Sequence, residues 1–126
     1  MSGSDKQTFG EFIVAKRKER EMPARQLADA LGISPVYMCD IEKNRKCAVS
    51  KKFLETLANT LLLTEVETEL MYDLAAFAQK SVSADLPEYI MEHEVVRTAI
   101  RKAKKNEVPE EKWDTFIRHI ERNGEE

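Results

Sequence analysis

A chain of 126 residues holds one compact domain plus an appendage but not two full-sized domains, and 42% apolar with 34% charged residues fits a small core under a densely charged surface. No apolar run reaches the roughly 18–20 residues of a bilayer span, which excludes a membrane segment. Met1–Gln7 has no apolar centre, so it reads as a disordered tail rather than a signal peptide, and the expected location is the cytoplasm. The net charge of −3 hides an asymmetry: residues 1–60 carry 11 basic and 8 acidic side chains, residues 61–126 carry 9 and 15.

The expected elements are all helical. Thr8 and Glu11 form a capping-box pair ahead of Phe9, Phe12 and Ile13, which predicts a first helix running to about Glu21. Pro23 opens a second helix with Leu27, Ala28 and Leu31 on one face, and Gly32 stops it. Ser34-Pro35 starts a third, Pro35–Lys43, with Met38 and Ile41 inward and Asn44, which enters the left-handed region more readily than most residues, ending it. Ser50 caps a fourth helix carrying Phe53, Leu54, Leu57, Ala58 and Leu61. Thr64 and Glu67 repeat the capping box for a fifth, with a stripe of Val66, Leu70, Leu74 and Phe77 ending near Lys80. Ser81–Leu86 reads as a linker. Beyond it, Tyr89 to Ala103 patterns one helical segment and Pro109 opens a last one with Trp113, Phe116, Ile117 and Ile120. The expected organisation is a tail (1–7), a five-helix domain (8–80), a linker (81–86) and a helical extension (87–123). The fold class is all-α.

Chemistry for catalysis is missing from the pattern. Cys39 and Cys47 lack Cys-x-x-Cys spacing and a neighbouring His pair, so reduced thiols are expected and no zinc site. His93 and His119 stand alone, and the carboxylates near Glu92 and Glu110 have no nucleophile or phosphate loop beside them. The expectation is a protein that is not an enzyme, with no metal and no cofactor.

Leu27-Ala28-x-x-Leu31-Gly32-Ile33-Ser34 followed by Ile41-Glu42 places a small residue at a helix crossing, a glycine at a turn and apolar anchors at fixed offsets. Over about Phe9–Leu63 this resembles the helix-turn-helix of the phage repressor and Cro family, also called xenobiotic-response-element-like regulators. The resemblance implies a repressor-like helix-turn-helix domain whose third helix enters the major groove of double-stranded DNA. Ser34, Pro35, Val36, Tyr37 and Asp40 would face the groove. Lys43, Asn44, Arg45 and Lys46 would follow the phosphates, and the run Lys43–Lys52, with five basic residues and no acid, independently suggests the same. The resemblance also implies an ion pair between Arg17 and Glu42.

Two positions depart from the family pattern. Ala24 replaces a common Gln, which moves its phosphate contact to Arg25 or Gln26, and Asn44 replaces a Gly. The groove-facing set lacks Arg, Gln and Asn, so readout would rest on Val36 or Tyr37 against thymine methyls, Asp40 accepting from cytosine, and DNA shape.

The leading expectation is a sequence-specific transcriptional regulator, a repressor binding a short palindromic operator as a homodimer. The C-terminal segment has too few residues to bury Tyr89, Trp113 and Phe116 alone, so it is expected to pack on the first domain or on another copy; a single recognition helix reads only a few base pairs, and two-fold symmetry, which doubles the contacts, is the argument for the dimer. The alternative is an antitoxin or protein-interaction adaptor whose acidic C-terminal half engages a protein partner, with DNA binding secondary.

Overall fold

The computed structural model describes residues 7–47 and 49–124, so nearly all of the expected N-terminal tail lies outside the described residues. These form eight α-helices and, among the described residues, no strand: α1 (Phe9–Glu19), α2 (Ala24–Leu31), α3 (Pro35–Glu42), α4 (Lys51–Thr60), α5 (Glu65–Gln79), α6 (Pro87–Glu92), α7 (Glu94–Lys105) and α8 (Glu110–Gly124). The chain divides into two compact units, one ending at Pro87 and one beginning at Glu88.

Local chemistry sets the helix ends of the first unit. Thr8 Oγ1 accepts the Glu11 N–H at 3.1 Å while the Thr8 N–H donates to Glu11 Oε1 at 2.9 Å, and Thr64 with Glu67 repeats the same reciprocal pair. Helix α1 stops two residues before the expected Glu21, because Glu21 takes a positive φ of 52° and the Met22 N–H folds back to the Arg17 carbonyl. Pro23 caps α2 rather than beginning it; its carbonyl accepts from the Leu27 N–H. At the other end Gly32, with φ 71°, lets the Ile33 N–H reach the Ala28 carbonyl at 3.0 Å, the left-handed closure that side-chain-bearing residues adopt at a cost.

The core of this unit joins α1 through α5. Phe12, Ile13, Leu27, Met38, Leu54, Leu57 and Leu61 are sealed from solvent, and Ala28 is equally buried where α2 meets its neighbours. Each large apolar side chain contributes roughly 1.5–3 kcal/mol relative to exposure. Helices α2 and α3 pack on each other, α1 braces α3, and α5 closes over α1 and α4.

Helix α5 is rotated from its expected setting. Of Val66, Leu70, Leu74 and Phe77 only Leu74 is buried; Met71, Tyr72, Ala75 and Ala76 take the inner face, and Val66 and Phe77 are 74% and 70% exposed. The cause is electrostatic as well as apolar. Glu67, in line with Met71 and Ala75 along the helix, receives Lys16 Nζ at 2.7 Å and lies 3.9 Å from Arg20 of α1, which turns that line inward.

This clasp makes a pH prediction. The hydrogen bond from Lys16, then that from the Thr64 N–H, holds the Glu67 carboxyl down at about 2 from its ordinary 4.5. A carboxyl lowered on folding stabilises the fold fully above its unfolded value and loses that contribution as pH falls through its folded value. The urea midpoint of wild type should therefore exceed that of Glu67→Gln at neutral pH, and the gap should close as pH drops from 4.5 towards 2; a gap independent of pH refutes the clasp.

The segment expected as a linker belongs with the first unit. Ser83 is buried and its hydroxyl donates to Asp73 of α5. In the second unit the single segment expected from Tyr89 to Ala103 is broken at His93, whose backbone is extended, whose ring stacks on Tyr89 at 4.2 Å, and whose Nδ1 lies 2.7 Å from the Tyr89 carbonyl oxygen. Glu107, with φ 49°, then turns the chain into Pro109 and α8. No described residue from Glu88 onward is buried, although α7 and α8 each carry an apolar face, Val95 with Ile100 on one and Trp113, Phe116, Ile117 and Ile120 on the other.

Candidate nucleic-acid interface

Ser34 initiates α3 by accepting the Tyr37 N–H on Oγ at 3.0 Å, and Pro35 occupies the first helical position, where its missing N–H costs nothing. Burial of Met38 and Ile41 fixes the rotation of the helix. Its outer side then carries Ser34, Pro35 and Val36, which are exposed, Val36 at 73%, whereas Tyr37, expected to face the groove, is half-buried and packs in part against the core. Arg25 and Gln26 stand exposed on the first turn of α2, where unsatisfied backbone N–H groups favour an anion.

Beyond α3 the chain passes through Lys43 and Asn44, with Asn44 at φ 61°, into Arg45 and Lys46, all four exposed. Two of these side chains have partners that the sequence did not disclose. Asn44 Oδ1 accepts the Gly10 N–H at 3.1 Å, tying the loop to the start of α1. The Asp40 carboxylate, expected to face bases, lies 3.6 Å from Arg45 and 3.8 Å from Lys46, and the Asp40 carbonyl accepts the Arg45 N–H at 2.8 Å. Lys46 Nζ also sits 5.9 Å above the Tyr37 ring, within cation–π range. Tyr37, Asp40, Arg45 and Lys46 thus form one cluster at the exit of α3.

Behind this surface Arg17 and Glu42 meet in a two-pronged pair, Nε to Oε2 at 2.9 Å and Nη2 to Oε1 at 3.2 Å, while Arg17 Nη1 donates to the Met22 carbonyl. Their side chains are only 14% and 10% exposed. The pair joins α1 to the last turn of α3 and so fixes the angle at which α3 is presented.

Gly10 is the positioning residue that the sequence reading passed over. A Cβ there would press into the carbonyl oxygen of Glu42 and come within 2.7 Å of the Ile41 carbonyl and Asn44 Oδ1. Its only sequence signal is a glycine in the second position of an otherwise ordinary helix.

Cys39 and Cys47 are free, half-buried thiols, and burial pushes the Cys47 thiol up from its ordinary value. Among the described residues no three His, Cys, Asp or Glu side chains could together hold a metal ion, and no helix is long and apolar enough to cross a membrane.

No family model matches the chain. A curated relative, the ImmF control region 10 kDa protein of Bacillus phage phi105, is 37% identical over 81 residues, a match that takes in 57% of this chain and 89% of the phage protein. The chain belongs to the family of that phage protein. Among solved structures, the SinR protein/SinI protein complex superposes with a TM-score of 0.47 at 18% identity, covering 94% of this chain and 100% of that one.

Proposed function

We propose that this protein is a DNA-binding transcriptional regulator of the repressor and Cro type, not an enzyme, and that α3 enters the major groove. The observation that carries the reading is the presentation of α3: its inner side is locked by Met38, Ile41 and the Arg17–Glu42 pair, while Val36 and the cationic loop Lys43–Lys46 stand together on the solvent side. The kinship with a phage control-region protein supports a regulatory role.

In this reading Val36 and Tyr37 provide apolar contact to thymine methyls, Arg45, Lys46 and Lys43 engage phosphates, and Arg25 or Gln26 adds a backbone contact from the start of α2. Asp40 is the part that changes role. Held against Arg45 and Lys46, it orients those cations and opposes indiscriminate phosphate binding, and its acceptance from a cytosine amino group requires release of one of them.

Selection of bound sequences from random duplexes, followed by titration at several salt concentrations, tests the reading. Arg45→Ala and Lys46→Ala should each weaken binding to every sequence and reduce the salt slope by about one unit. Tyr37→Ala should change the preferred sequence. Enrichment of no sequence overturns sequence-specific binding and favours the adaptor reading.

Two-fold pairing on a palindromic operator is part of the same proposal. The support is the second unit, in which Val95, Trp113, Phe116 and Ile117 all remain solvent-facing in a single copy. A second chain is the occupant that two-fold symmetry in DNA would call for. Sedimentation that finds only monomer at tens of micromolar, with and without DNA, refutes it.

A further inference from the structure

Under the exit loop of α3 lies a cavity of about 590 Å³ that the DNA reading leaves unused. Its walls come from the start of α1, the end of α3 and the last turns of α5: Ile41, Leu74, Phe77 and the Cys47 thiol are the apolar part, with Gln7, Thr8 and Asn44 polar beside them. Arg45 and Lys46 stand at its edge, with side chains 62% and 61% exposed, and no acid is among the described residues that line it. The volume falls within the range of about 300–1,000 Å³ typical of small-molecule sites. Phe77 is 70% exposed on this wall, which is costly for an aromatic side chain with no partner among the described residues.

We propose that this cavity binds a small amphipathic carboxylate, an apolar body against Phe77 and Leu74 with its anionic head on Arg45 and Lys46. Charge complementarity chooses the head: Arg45 and Lys46 share the single Asp40 carboxylate, 3.6 and 3.8 Å away, which leaves one net positive charge at the edge and favours a monoanion over a neutral or cationic amphiphile. Apolar walls and volume choose the body, one of roughly drug-like size. The consequence rests on the regulator reading above. A carboxylate on Arg45 and Lys46 occupies the groups assigned to phosphate, so the ligand and the duplex compete.

The experiment uses the full chain and two probes of equal body, decanoate and decanol, below their aggregation concentrations. Without DNA, decanoate should shift the amide resonances of Gly10, Cys47 and Phe77 saturably with one site per chain. Decanol should bind about tenfold more weakly, and Phe77→Ala and the double variant Arg45→Ala/Lys46→Ala should each weaken decanoate by about tenfold. Phe77 is largely exposed, so its variant should fold; an unchanged melting midpoint checks that. Shifts that never saturate, shifts confined to the neighbourhood of Trp113, or equal binding of decanol overturn the site. In a second arm decanoate should raise the apparent Kd for the selected duplex in wild type and not in Phe77→Ala. If the chain binds no duplex, the regulator reading fails while the first arm still judges the cavity; saturable binding without competition refutes the coupling alone.

Discussion

Glu42→Gln should lower the stability of the protein by about 3–5 kcal/mol, because it leaves the Arg17 guanidinium facing a neutral amide in a site where both side chains are nearly closed to water. An exposed pair would cost only about 0–1 kcal/mol, so the measurement separates the two regimes. Arg17→Met is the companion test. It removes the charge but keeps an unbranched apolar stem, and it strands the carboxylate instead, so a loss of similar size is expected. The double variant Arg17→Met/Glu42→Gln should recover part of either loss, since no ionised group is then left buried without a partner. Urea denaturation of the four chains supplies the cycle. A Glu42→Gln midpoint equal to wild type would show that the pair is not holding α1 to α3.

Gly10→Ala should be the more damaging of the two single substitutions for presentation of α3, though it adds only one methyl group. The methyl meets the carbonyl oxygens of Glu42 and Ile41, which belong to the last turn of α3 and cannot swing aside as a side chain would. Overpacking against backbone costs on the order of 1–3 kcal/mol or more. The strain also pulls Asn44 Oδ1 off the Gly10 N–H, so the exit loop loses its tether to α1. Amide exchange should accelerate at Arg45 and Lys46, and sequence preference should weaken relative to wild type. Gly32→Ala serves as the contrast: its cost is that of a left-handed φ with open space around the added methyl, so it should lower stability without the accompanying change in the loop. Equal loop protection in Gly10→Ala and wild type would refute the tether.

The sequence disclosed whatever is settled within a few residues. The caps at Thr8, Ser34, Ser50 and Thr64 and the left-handed turns at Gly32 and Asn44 are local chemistry, and each lies where local chemistry put it. Burial of Met38 and Ile41 follows from helical periodicity in the same way. Periodicity fails on α5, where two apolar flanks compete, Val66-Leu70-Phe77 against Met71-Tyr72-Ala75. Met71, Leu74 and Ala75 are the flank that α1 and α4 bury, and Lys16, about fifty positions away along the chain, meets Glu67 on the same line, so the choice between flanks depends on contacts outside α5. The break at His93 was hidden for a different reason: the His93 ring nitrogen lies against the Tyr89 carbonyl while the His93 N–H turns to the Ile90 carbonyl, and histidine is not a breaker by propensity.

At the candidate interface the difference between near and far is sharper. Of the residues expected to lie outward on α3, Ser34, Pro35 and Val36 are exposed, but Tyr37 is half-buried against the core and the Asp40 side chain is only 19% exposed. Arg17 and Glu42 are 25 positions apart, and only resemblance to a family brought them together. The ties from Asn44 to Gly10 and from Asp40 to Arg45 and Lys46 are products of how the exit loop folds back, so the sequence offered Asn44 and Asp40 as free groups when the structure has already engaged them.

The uncovered faces of α7 and α8 bear on how such a regulator would respond to its own abundance. Pairing through a surface that is idle in one copy is second order in chain number, so at low occupancy the paired form rises with the square of expression, not in proportion to it. Halving the number of chains in a cell would then cut the operator-competent species about fourfold. Under the proposed pairing, a modest dilution at cell growth would therefore lower operator occupancy more steeply than it would for a protein that acts as a single copy.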